Sequence, residues 1–180
     1  MIITYSILLK ANVSCSWEEP VKPCIHVVED AEGYITVLDS VLDHLEEVGA
    51  KEVIILTPGK IDHSAICSKL RFSADQSDGY AYYMHNEKEY KVTTCKKIKG
   101  LEAEGIVMLD LDKDSFVGKK GLEFYVGTSR ARHYLDLICN IVGDEYYELA
   151  HSLDENAPKR NDVVRMKNIL SEIFAVNIVG

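Results

Sequence analysis

The sequence predicts an α/β fold built on a mostly parallel sheet, and three observations carry that expectation. Two apolar runs, Val53-Ile54-Ile55-Leu56 and Ile106-Val107-Met108-Leu109, have no polar interruption. Strands covered on both faces read this way, and parallel sheets are covered on both faces. Apolar residues at helical spacing fall between such runs, so strand and helix alternate along the chain. Finally, 47% of the 180 residues are hydrophobic, enough to build a layered core in one domain without disulfide or metal staples.

Taken in order, the first 23 residues mix an apolar start with Trp17, Glu18, Glu19, Pro20 and Pro23. They hold no period and are read as an irregular arm, with residues 24–180 forming a single domain. Ile25-His26-Val27-Val28 is a short strand. Ile35, Leu38, Val41, Leu42, Leu45 and Val48 recur at helical spacing before Gly49, a helix stop. The buried run from Val53 ends at Thr57-Pro58-Gly59. Asp62 to Leu70 reads as a short helix, and Arg71 to Gly79 as polar turn. Tyr80 to Met84 and Tyr90 to Thr94 read as strands bracketing the turn His85-Asn86-Glu87-Lys88. After the strand at 106–109 comes an acidic turn, Asp110 to Asp114. Leu122, Tyr125, Val126 and Ser129 space as a helix face, and Tyr134 to Cys139 as a strand. Val163, Met166, Leu170, Ile173 and Phe174 form the stripe of a closing helix, capped by Asn161 or Asp162 and packed on the sheet.

Charge and cysteine usage narrow the function classes. The formal net charge of −9 repels a phosphate backbone, so any nucleic-acid contact must come from a local basic cluster. Cys15, Cys24, Cys67, Cys95 and Cys139 include no CxxC pair, which argues for scattered reduced thiols in a cytoplasmic protein and against zinc. No apolar run approaches the roughly 18 residues of a membrane span, and the start lacks a signal-peptide pattern. The six histidines show no metal or catalytic spacing, and Asp110, Asp112 and Asp114 lack the glycine and distal glutamate of a calcium loop. No metal site is expected.

A phosphate loop is missing: Gly59-Lys60 is followed by Ile61, and Gly118-Lys119 by Lys120. Two other segments place charge at the ends of strands, where α/β sheets bind ligands. In the first, residues 92–102, Lys96, Lys97 and Lys99 make a positive focus, Gly100 permits positive φ or close approach, and Glu102 offers an acceptor for hydroxyls. That set suits a phosphate beside a sugar; its bland alternative is a solvated loop. In the second, residues 124–132, Arg130 ends a helix from which a guanidinium can reach a transferring phosphoryl group. Arg130 and Arg132 can equally be cations favoured by a helix C-terminus. Tyr80, Tyr82, Tyr83 and Tyr90 either stack on bases or pack on the sheet. The lysines beside Cys95 would lower its pKa, but no adjacent histidine offers a base.

Together the segments resemble a known pair of motifs. The string ending in KGLE at 99–102 resembles the TxHxxKGLE motif of UvrD/Rep/PcrA-type superfamily 1 DNA helicases, and YVGTSRAR at 125–132 resembles their YVALTRAR. The resemblance implies a three-layer RecA-like (P-loop NTPase-like) domain, the second motor domain of a helicase, lacking its own phosphate loop. It implies that Glu102 holds the ribose of ATP, that Gly100 and Lys99 lie against the nucleotide, and that Arg130 is the arginine finger. Thr94 and Lys96 would lie by single-stranded DNA. ATP with Mg²⁺ would bind only together with an N-terminal RecA-like domain of the same protein. Lys96 stands where the family has histidine, Ser129 where it has threonine, and Gly127-Thr128 where it has Ala-Leu. The family's NYRS-type motif is not recognisable, and residues 70–91 are too few for the large inserted subdomain of UvrD or Rep. Two other readings remain: a non-catalytic nucleic-acid or protein-binding module, and a helicase-like ATPase that does not unwind.

Overall fold

A computed structural model describes residues 23–28, 31–72, 80–98, 100–117, 120–141, 144–153, 156, 162–174 and 177–179. The expected arm therefore lies outside the described residues except for Pro23. Eight strands form one sheet: β1 (Cys24–Val27), β2 (Val53–Thr57), β3 (Leu70–Phe72), β4 (Ala81–His85), β5 (Lys88–Thr94), β6 (Ala103–Leu111), β7 (Ala131–Cys139) and β8 (Asn177–Val179). Their order across the sheet is β3-β4-β5-β2-β6-β7-β1-β8. The six strands from β5 to β8 pair in parallel, and β3 and β4 add an antiparallel edge.

Five helices cover the sheet: α1 (Ala31–Glu47), α2 (Lys113–Val117), α3 (Gly121–Thr128), α4 (Asp144–Leu153) and α5 (Val163–Phe174). Alternation of side chains across each strand divides the core in two. On one face Ile54, Leu56, Ile106, Met108, Leu135 and Leu137 meet Phe116, Phe124 and Leu149 from α2, α3 and α4. On the other, Ile55, Val107 and Ile138 meet Leu38, Leu42 and Leu45 of α1. The result is three layers with a sheet buried on both sides, as the uninterrupted apolar runs require.

Gly49 ends α1 at φ +79°. Ala50 N–H donates to Leu45 O and Gly49 N–H to Glu46 O, the paired bonds that close a helix through a left-handed glycine. The turn between β4 and β5 is made by Asn86 and Glu87, both at positive φ, the twist that matches a two-residue hairpin. Helix α1 also grips this hairpin with polar groups. Tyr83 Oη donates to Asp39 at 2.8 Å, Tyr90 Oη donates to Glu46, and the His85 ring lies between Asp39 and Asp43 at 3.0 and 2.7 Å. Tyr83 and Tyr90 are thus buried sheet residues, not stacking platforms.

Several expectations are corrected. Residues 62–70 form two separate 3₁₀ turns, Ile61–His63 and Cys67–Lys69, leading into β3. The acidic turn is built by specific hydrogen bonds. Asp110, at φ +57°, accepts the Ala65 N–H at 2.9 Å. Asp112 accepts the Ser115 N–H at 3.1 Å while Ser115 Oγ accepts the Asp112 N–H at 3.2 Å, a reciprocal cap that starts α2. Burial pushes the Asp112 carboxyl up, but the Lys120 ammonium and Ser115 outweigh it and hold it below its ordinary value. Helix α3 buries Phe124, Gly127 and Thr128, whereas Leu122 and Tyr125 of the expected inner face point outward. Asp162 caps α5 through the Arg165 N–H, and α5 packs against α4 and β8.

Candidate nucleotide-facing edge

The two motif segments meet at the amino-terminal ends of β6 and β7, opposite to the carboxyl ends at which α/β sheets bind ligands and on which the sequence expectation relied. Residues 95–102 cross from the end of β5 to the start of β6 over strand β2, which lies between them. This is short for a parallel crossover, which usually takes a dozen residues or more. A single helical turn makes it fit: Lys97 N–H and Ile98 N–H both donate to Thr94 O, and Leu101 N–H donates to Ile98 O. Ile98 is fully buried and pins the loop to the core. Gly100 then takes φ +84°, a conformation that costs an L side chain energy, and the chain enters β6 with Glu102 exposed.

Helix α3 delivers the second segment. Its last carbonyls are capped by hydroxyls: Thr128 Oγ1 donates to Phe124 O at 2.9 Å, and Ser129 Oγ donates to Val126 O at 2.9 Å. Arg130 N–H closes on Gly127 O at 3.1 Å. Arg130 O then accepts the Ala103 N–H at 3.0 Å, and Ala103 pairs with Ala131 in the parallel register. Glu102 and Arg130 are therefore the residues just before two paired strand positions, side by side on the same edge. Arg130 is half-buried. Its Nε is sealed from solvent and has no hydrogen-bond partner among the described residues, an arrangement that costs about 1–3 kcal/mol unless an acceptor arrives. Arg132, by contrast, is exposed and paired with Glu52 at 3.3 Å.

The helix and the crossover are packed together closely. A Cβ on Gly127 would lie 2.6 Å from Met108 Cε and 3.1 Å from Cys95 Sγ. Glycine at this position lets α3 approach the crossover, with Met108 and Cys95 filling the space. Cys95 is buried, and burial first, then Glu123, push its thiol up to about 12. The expected lowering by neighbouring lysines does not occur, because those lysines face solvent while the sulfur faces the core.

The remaining candidates divide. Thr94 is half-buried at the carboxyl end of β5, level with Thr57. Lys96 is exposed, its Nζ 3.9 Å from the Glu123 carboxylate. Thr94 ends β5 at its carboxyl end and Lys96 follows it, whereas Glu102 and Arg130 precede β6 and β7 at their amino-terminal ends. Lys99 lies outside the described residues. A cleft of about 260 Å³ opens at the amino-terminal edge of β2, β5 and β6, lined by Lys51, Tyr80, Lys88, Lys91, Leu101 and Glu102 among others. Arg130 does not line it. Sequence reasoning missed this cleft, since its lysines come from separate segments far apart in the chain. Nearby, Glu104 accepts the Lys51 N–H at 2.7 Å, and the Lys51 and Glu52 amides hold its carboxyl below the ordinary value.

No protein-family model matches the chain, and no curated protein does. Solved structures similar to it include the following two. One is the C-terminal domain of a possible DNA helicase from Lactobacillus plantarum, 14% identical over 76% of this chain and 84% of that one, with a TM-score of 0.53. The other is the large terminase from a thermophilic bacteriophage, 12% identical over 96% of this chain and 44% of that one, with a TM-score of 0.44. The chain thus spans less than half of the terminase chain. The first likeness is one of fold, and with it the three-layer RecA-like architecture expected from the sequence is the architecture observed. Among the described residues no helix is long and apolar enough to cross a membrane.

Proposed function

We propose that this chain is the second motor domain of a UvrD-like superfamily 1 ATP-dependent DNA helicase or translocase. It supplies one half of an ATP site whose phosphate loop belongs to an N-terminal RecA-like domain of the same protein. The observation that carries this reading is the Ala103 N–H to Arg130 O bond. Through it the ends of the KGLE and YVGTSRAR segments share one edge, with the Arg130 Nε still in need of an acceptor. The similar fold of a domain described as part of a possible DNA helicase supports it further.

In this reading Glu102 accepts hydrogen bonds from the ribose hydroxyls, and Gly100, with no side chain, lets the backbone approach the nucleotide. Lys99 completes that contact. Arg130 donates to the γ-phosphate when the two domains close, stabilising charge that grows in the transition state. The residues here do not fit a Mg²⁺ site: Glu104 is engaged by backbone amides, and Glu102 alone offers no octahedral oxygen set. The metal that accompanies ATP is assigned to the other domain. Thr94 and Lys96, at the far end of the crossover, contact single-stranded DNA. The crossover is then the mechanical link, since its two ends answer to different ligands and it is one helical turn pinned by Ile98.

Replacing Arg130 by alanine in the protein that carries both motor domains should lower ATP turnover on the order of 10³-fold or more and leave nucleotide affinity nearly unchanged. Unaltered turnover would remove the assignment. One observation favours an ATPase that translocates without unwinding. Between β3 and β5 the described chain forms only β4 of an antiparallel edge, where UvrD and Rep carry a large inserted subdomain. Strand displacement by the intact protein separates the two.

A further inference from the structure

Away from that edge, on the α1-covered face of the sheet, three side chains with no part in nucleotide chemistry converge. Cys24 and His26 are two apart on β1 and so share a face. Asp136 sits on β7 directly beside Cys24 in the parallel register. Cys24 Sγ, a His26 ring nitrogen and an Asp136 carboxylate oxygen all lie within 4.8 Å of one another. His26 Nε2 is 2.7 Å from Asp136 Oδ1, and the two side chains are only 16% and 11% exposed. We infer that Cys24, His26 and Asp136 form a binding site for a divalent cation of the zinc type.

The donor set selects the metal. Thiolate, imidazole and carboxylate together suit Zn²⁺, whereas Mg²⁺ and Ca²⁺ take oxygen ligands alone. The geometry agrees as well. Bond lengths of about 2.0–2.3 Å at tetrahedral angles place ligand atoms about 3.3–3.6 Å apart, between the 2.7 Å of the His26–Asp136 contact and the 4.8 Å bound on the cluster. Binding therefore asks the His26 and Asp136 atoms, now 2.7 Å apart, to separate by about half an ångström. In chemical terms the S–H bond of Cys24 breaks, a Zn–S bond forms and the thiol proton leaves to solvent, while the imidazole binds through one nitrogen and keeps its proton on the other. Three protein ligands leave a fourth position for water or an outside group. The sequence hid this set because the spacing rule looks along the chain, whereas Asp136 comes from a neighbouring strand. The expectation of no metal site is revised accordingly.

The test uses the whole chain, stripped with a chelator under reducing conditions and then titrated with Co²⁺ and Zn²⁺. One cobalt per chain should give thiolate-to-cobalt charge transfer and the intense visible bands of four-coordinate cobalt, both removed by added Zn²⁺. Cys24→Ser should abolish the charge-transfer band, Cys67→Ser should leave it, and Asp136→Asn, which removes a direct ligand, should weaken Zn²⁺ binding by more than the roughly 10–100-fold lost with an outer partner. Circular dichroism reports whether each variant folds. Should Cys24→Ser fail to fold, X-ray absorption at the zinc edge of the unaltered chain reads the ligands directly, with one sulfur at about 2.3 Å among nitrogen and oxygen atoms at about 2.0–2.2 Å. Absence of the charge-transfer band, its survival in Cys24→Ser, or a zinc shell without a single sulfur would each reduce the cluster to a cross-strand His–Asp hydrogen bond.

Discussion

Replacing Gly127 by alanine should weaken the fold, and the same replacement should strengthen it once Met108 has been cut back to alanine. The added Cβ would lie 2.6 Å from Met108 Cε and 2.7 Å from Met108 Sδ, well inside the roughly 3.5–4.0 Å of a good contact. Met108 is fully buried, so its thioether has nowhere free to go. Overpacking of this kind costs about 1–3 kcal/mol, while alanine in place of glycine in a helix returns about 1 kcal/mol. The net loss is about 0–2 kcal/mol. Met108→Ala alone leaves a cavity and costs about 2–5 kcal/mol, but in that background the two closest contacts are gone and only Cys95 Sγ at 3.1 Å must give a little, so Gly127→Ala should gain up to about 1 kcal/mol. Urea denaturation of the four proteins gives the coupling, expected at about 1–3 kcal/mol. If Gly127→Ala stabilises both backgrounds equally, α3 does not rest on Met108 in the way described, and the placement of Arg130 loses its support.

Other outcomes follow from the same geometry. Gly100→Ala meets no atom within 4 Å, so its cost is the left-handed backbone alone, about 1–2 kcal/mol; urea unfolding should show that loss, and Gly100→Asn a smaller one. The His85 hydrogen bond holds the Asp43 carboxyl below its ordinary 3.8, and the Tyr90 hydroxyl holds Glu46 below its ordinary 4.5. Depressed carboxyls contribute stability that is present above those ordinary values and is lost as pH falls through the folded ones. The thermal midpoint should therefore drop on acidification below about pH 4.5, and Asp43→Asn should flatten the acid side of the profile; an unchanged slope would show that α1 and the hairpin are not held by these pairs.

The strands that form the centre of the sheet were legible because burial on both faces leaves no room for a polar residue: β2 and β6 read directly from Val53–Thr57 and Ile106 to Leu109. Helix α1 was legible for the complementary reason, since only one stripe of it is buried. What the sequence concealed is short or cross-chain. Helix α2 is five residues long and is set by the Asp112–Ser115 cap rather than by an apolar stripe. Strands β3 and β8 are three residues each, too short to show a period. The inner face of α3 was misread because its closest contact is made by Gly127, a residue that hydrophobicity does not weigh. Motif spacing brought Glu102 and Arg130 to notice, yet their adjacency follows from the β6–β7 register. The division of the KGLE segment between two ends of the sheet follows from a crossover that no local pattern reveals.

The central proposal, that Arg130 reaches an ATP site while its neighbour serves the fold, is tested most directly by comparing Arg130→Ala with Arg132→Ala in the protein carrying both motor domains. Arg132 is occupied by Glu52 on the surface, whereas the Arg130 Nε is buried without a partner among the described residues. DNA-stimulated ATP turnover should fall on the order of 10³-fold in Arg130→Ala and stay near the parent value in Arg132→Ala, with nucleotide affinity preserved in both. Equal turnover in the two variants would contradict it.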